Sequence, residues 1–92
     1  MKRDMDLIRA ILQFAEENCK AFCRSNDHTE YPALSVSKLP EMFHLIEKSV
    51  LDEHVELAKD RKLISADYIY DLWRIRYLTW EGHDFLDSLR DK

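Results

Sequence analysis

The hydrophobic period changes at Leu63, and that change constrains the fold more than any other feature of the chain. From Leu63 to Leu78 the sequence is rich in Ile, Tyr and Trp, and Trp73, Ile75 and Tyr77 alternate with Arg74 and Arg76. Alternation of period two is the mark of a half-buried strand. Two strands fit, at about 63–69 and 73–78, joined near Tyr70-Asp71-Leu72 by a turn that contains no Gly. The segments on either side have helical spacing, so the fold is α+β and mainly helical. Gly occurs once and Pro twice in the whole chain. Few positions can therefore take a positive φ cheaply, which argues against Gly-rich phosphate loops and β-rich folds full of tight turns.

Asp4 to Arg24 is the clearest helix. Met5, Leu7, Ile8, Ile11, Leu12, Phe14, Ala15, Cys19, Phe22 and Cys23 fall within an arc of ~180° at 100° per residue. A surface helix needs a stripe of only ~100°. The surplus predicts either burial on two sides or a partner surface. Asp4 and Asp6 suit the positive end of this helix. Ser25 to Tyr31 reads as a polar loop and Tyr31 to Val36 as a short strand. Ser37 is an expected N-cap for a helix over Lys38–Lys48, which would bury Leu39, Met42, Phe43 and Ile46. Ser49 is an expected N-cap for a helix over Val50–Arg61, with Asp52 near a capping-box position. Thr79 caps a last helix from Trp80 to about Arg90. Gly82 lies on its apolar stripe, where Gly costs ~1 kcal/mol against Ala. Close approach of another backbone, expected to be the first helix, would offset that cost. Trp80 falls on the opposite side.

The net charge is −4, and the deficit is spread evenly over the chain. No segment is a basic arm, so nonspecific DNA binding by bulk charge is disfavoured. No apolar run approaches a secretory signal or a membrane span, and the chain reads as cytoplasmic. Cys19 and Cys23, four apart on a helix, read as small buried hydrophobes. An i, i+4 disulfide is strained, and zinc would need two more ligands where only His28 is near. No metal, cofactor or catalytic residue is expected. His28, His44, His54 and His83 are scattered over different elements. His83 and Asp84 are adjacent on a helix and do not face each other. His54 falls on an apolar arc and reads as a core histidine.

Two stretches go beyond pattern. Met1-Lys2-Arg3-Asp4-Met5-Asp6-Leu7-Ile8-Arg9 and Leu78-Thr79-Trp80-Glu81-Gly82-His83-Asp84-Phe85-Leu86-Asp87 resemble the two ends of a small bacterial and phage family of unknown function. His54 to Ile64 is similar to that family's helix leading into its hairpin. The resemblance covers nearly the whole chain and implies a single winged helix-turn-helix domain over residues 1–92, in a phage or prophage setting. Relatives usually place Gly just before the Leu-Ile that enters the hairpin, and here Lys62 stands there. The family carries no known catalytic residues.

Two functions compete. In a helix-turn-helix the second helix enters the major groove, and here that helix would present Asp52, Glu53, Glu56 and Asp60 against one base, Lys59. Candidate nucleic-acid contacts are therefore Arg74 and Arg76 on the hairpin, with Arg61 and Lys62 at the helix end. The bland reading of Arg74 and Arg76 pairs them with Asp67 or Asp71. The first-ranked reading is a non-enzymatic protein-interaction module, with an unidentified protein or a second copy as partner and no membrane. Its candidate surface is Trp80, Trp73, Tyr70, Met5, Ile8, Leu12 and Phe22, because exposed aromatic patches mark interaction sites.

Overall fold

Asp4 opens the first helix, α1 (Met5–Asn18), by accepting the backbone N–H groups of Asp6 (3.0 Å) and Leu7 (3.2 Å) on one carboxylate oxygen. This satisfies donors that a helix start leaves unpaired. The computed structural model describes residues 4–18 and 31–90. The expected extension of α1 to Arg24, with Cys19, Phe22 and Cys23, lies outside the described residues, as does the loop at 25–30 with His28. The remaining elements are β1 (Ala33–Leu34), two short 3-10 turns (Val36–Lys38 and Glu41–Phe43), α2 (Lys48–Asp60), β2 (Ile64–Ile69), β3 (Leu72–Leu78) and α3 (Trp80–Arg90). The three strands form one antiparallel sheet in the order β1-β3-β2. The architecture is mixed α+β and mostly helical.

The wide apolar face of α1 is core. Leu7, Ile8, Ala10, Ile11, Leu12, Phe14 and Ala15 are all buried, because α2, α3 and β3 pack around the helix. The surplus arc is thus covered on more than one side.

The helix expected over Lys38–Lys48 is not formed. Pro40 disfavours the α region at the residue before it, and Leu39 is extended with φ −90° and ψ 165°. The segment breaks into two 3-10 turns, with bonds from Leu39 N–H to the Val36 carbonyl (3.1 Å) and from His44 N–H to the Glu41 carbonyl (3.0 Å). Ser37 lies inside the first turn, and its hydroxyl meets that of Ser35 at 2.9 Å. Leu39 and Phe43 still reach the core, while Met42 is exposed.

Ser49 is not a cap either. α2 begins two residues earlier than expected, at Lys48, after an extended Glu47 whose carbonyl accepts from Val50 and Leu51 (both 3.1 Å). Asp52 does not complete a capping box. It pairs with Lys48 one turn back at 2.8 Å. α2 buries Leu51, His54, Val55 and Ala58. It ends in a Schellman motif: Lys62 N–H bonds the Lys59 carbonyl (2.9 Å) and Leu63 N–H bonds the Ala58 carbonyl (2.9 Å). The motif needs a left-handed residue, and Lys62 takes it with φ 62°.

The hairpin turns on two residues, Tyr70 and Asp71, with φ 53° and 62°. Two successive left-handed residues match the twist of the flanking strands, a geometry usually given to Asn-Gly. Ser65 pairs with Tyr77 and Ala66 with Ile75, so Arg76 has no partner of its own on β2. This bulge shifts the alternation by one. Trp73 and Ile75 point into the core before it and Leu78 after it, while Tyr77 is left exposed.

Candidate functional site

An apolar groove lies at the C-terminal end of α2. It has a volume of about 200 Å³ and is lined by Met5, Ile8, Leu57, Ala58, Arg61, Leu63 and Phe85. All but Arg61 are apolar, and Met5, at 37% exposure, forms part of its open side. Met5 and Ile8 thus share a surface. Leu12, at 0% exposure, lies wholly in the core, and Phe22 lies outside the described residues.

The other expected contact residues separate. Trp80 projects into solvent from the first position of α3 and is 86% exposed. Tyr70 projects from the hairpin turn. Trp73 is not a surface residue: it is 8% exposed, because the pleat of β3 turns it inward. Its ring packs edge-on against Tyr68 at 5.3 Å, and the Lys59 ammonium lies 5.4 Å from it. Lys48 lies 5.4 Å from the Tyr68 ring and donates to the Tyr68 hydroxyl at 3.2 Å. The hydrogen bond to Asp52, then that to Tyr68, raises the Lys48 pKa above its ordinary value. Both basic residues of α2 are therefore engaged within the fold. Glu53, Glu56 and Asp60 remain exposed on its outer side.

Arg74 and Arg76 sit half-buried on the outer face of the sheet. Arg74 stands opposite Asp67 across the ladder and donates to the Tyr31 carbonyl at 3.3 Å. The Arg76 guanidinium lies 5.5 Å from the Tyr31 ring. Both are held against the segment that enters β1. Arg61 and Lys62 are exposed at the end of α2, one at the groove and one in the Schellman turn.

His54 is buried and fully satisfied. Its Nδ1 donates to the Val50 carbonyl (2.8 Å), and its Nε2 accepts the Asp4 backbone N–H (3.0 Å). The ring thereby ties the start of α1 to the middle of α2. His83 faces Glu16 at 3.9 Å, not Asp84. Arg90 of α3 makes a two-pronged contact with the Glu16 carboxylate, and this hydrogen bonding lowers the Glu16 pKa from its usual value. No group of three His, Cys, Asp or Glu among the described residues is placed to hold a metal ion. No described helix is long and apolar enough to cross a membrane.

Sequence reasoning missed two exposed apolar side chains in the broken segment. Met42 is 73% exposed and Leu45 is 97% exposed. Pro40 was the available signal, since a helix interrupted there cannot turn all its apolar residues to one side.

A family model described as "Hypothetical protein (DUF2513)" matches residues 2–92. The chain belongs to this family. An uncharacterised protein of Haemophilus influenzae is 34% identical over 95 residues, an alignment covering 99% of this chain and 70% of that protein. No solved structure matches the chain. The resemblance read from the two end phrases therefore holds at the level of a family of uncharacterised proteins.

Proposed function

We propose that the chain is a non-enzymatic protein-interaction module on a winged-helix scaffold, acting in the cytoplasm in a phage or prophage setting. The scaffold reading is supported by the order helix, short strand, broken helical segment, helix, hairpin, helix, with β1 laid on β3. The phage setting is supported by the end phrases alone.

One observation carries the functional reading. The helix a winged helix would offer to DNA carries Glu53, Glu56 and Asp60 on its outer side, with Lys48 and Lys59 engaged within the fold and only Arg61 and Lys62 exposed at its end, while four bulky apolar side chains stand in solvent: Leu45, Trp80, Tyr70 and Met42. Carboxylates on the groove-facing helix repel phosphates. Trp and Tyr are among the residue types most enriched at the energetic centres of protein interfaces. Arg74 and Arg76, which a hairpin-based DNA reading would use, are instead held at Tyr31.

A photoreactive residue placed at position 80 or 70 in cells tests the reading. Discrete protein adducts, with only weak binding of random duplex at ~50 mM salt, are the expected result. Tight duplex binding at ~150 mM salt that is lost with Arg74→Ala and Arg76→Ala would make the chain a DNA-binding regulator instead.

A further inference from the structure

We infer that the groove at the end of α2 receives Leu45 of a second copy of this chain, so that copies associate head to tail. The inference rests on the protein-interaction reading and names one partner for it. The groove is apolar on all sides except at Arg61. Arg61 is exposed and forms no ion pair among the described residues. The same chain carries the complementary feature. Leu45 is 97% exposed, and Glu41 and Glu47, four residues before it and two after it, are both exposed and without an ion pair among the described residues. An exposed aliphatic side chain in an acidic stretch of chain matches an apolar groove with one guanidinium in polarity and in sign of charge.

The two features cannot meet within one copy. Leu45 precedes the first residue of α2 and Arg61 follows the last. At 1.5 Å per residue, a helix of 13 residues holds them ~20 Å apart. A two-fold pairing with α2 antiparallel would satisfy both ends, but it would set Glu53 and Glu56 of one copy against those of the other. A heterologous contact avoids that repulsion, and it propagates unless a ring closes.

The full chain is examined by sedimentation and light scattering from micromolar to millimolar concentration. Mass above the monomer should appear and rise with concentration. Leu45→Asp and Arg61→Glu should each weaken association at least tenfold, with the melting temperature unchanged for Leu45→Asp and only slightly lowered for Arg61→Glu, which puts a negative charge at the C-terminal end of α2. Mixing the two variants should give a dimer and nothing larger, since the intact knob of one meets the intact groove of the other. Arg61→Glu combined with Glu47→Arg should recover association. A chain that stays monomeric throughout, or whose association ignores Leu45→Asp, overturns the inference. If that monomer still yields protein adducts from position 80, the self-association fails while the interaction reading stands.

Discussion

Gly82 packs against the carbonyl oxygen of Leu63. A Cβ at position 82 would collide with that oxygen and lie 2.6 Å from Leu78 Cδ1. The expected close approach is thus real, but the backbone concerned is the entry to β2 and not α1. Thr79 explains why. Its hydroxyl accepts from Gly82 N–H (2.9 Å) as an N-cap and lies 2.8 Å from the same Leu63 oxygen, to which its own N–H also donates (3.1 Å). The start of α3 is pinned to the start of β2. Gly82→Ala gains ~1 kcal/mol of helix propensity and loses more, ~1–3 kcal/mol, because a backbone oxygen cannot move aside. Urea denaturation should show net destabilisation. A more stable Ala variant would show that the contact is absent.

Lys62 is the converse case. It holds a left-handed φ of 62° in the Schellman turn, the position that helix ends most often give to Gly. The left-handed conformation costs a non-Gly residue ~1–2 kcal/mol, part of which Gly returns to unfolded-state entropy. Lys62→Gly should therefore raise stability by ~1 kcal/mol, read as a higher melting temperature. No gain would mean that the Lys side chain compensates elsewhere.

His54 should not tolerate truncation. His54→Ala leaves the Val50 carbonyl and the Asp4 N–H without their ring partner and opens a cavity at a residue 1% exposed. A loss of ~2–4 kcal/mol is expected. Amide exchange in the first turn of α1 should accelerate more than exchange in α3, because the ring holds α1 at Asp4.

The Glu16–Arg90 pair sets a pH dependence. Arg90 lowers the Glu16 pKa in the folded state. The folded state therefore holds the proton less tightly than the unfolded chain does. The pair's contribution is fully present above the ordinary glutamate range and is lost as pH falls from that range through the lowered folded value. Arg90→Met should flatten the decline in melting temperature over that acidic window and leave the profile's shape near neutrality unchanged. An unchanged acid limb would show that the pair adds nothing in solution.

The acidic face of α2 gives a test with a definite sign. Glu53→Lys with Glu56→Lys should raise affinity for random duplex at ~50 mM salt and steepen the salt slope, because more phosphates are neutralised. A fall in affinity would mean that these carboxylates read bases.

Much of the fold is legible because it depends on periodicity. α1, α2, the hairpin and α3 follow from spacing, and the Thr79 cap from a single side chain. The break at 38–48 is harder to read, because four apolar residues at helical spacing compete with one Pro, and the extended backbone that Pro40 favours at Leu39 wins locally. Spacing also places Trp73 and Tyr77 on one face, which the bulge at Arg76 undoes.

The candidate surfaces divide along the same line. Which side chains are apolar, that the charge is acidic, and that Trp80 lies off its helix's stripe are properties of the sequence and of 3.6-residue geometry. Whether an apolar face is core or surface depends on what packs against it. Leu12, Ile8 and Met5 are equal on the helical wheel, and only α2, α3 and β3 closing over α1 bury Leu12 wholly and leave Ile8 and Met5 at a groove. Tertiary structure likewise decided that Arg74 and Arg76 lie at Tyr31 and that Leu63 is the backbone facing Gly82. Contacts between residues distant in the chain follow from how elements are placed in space, and no local period encodes that placement.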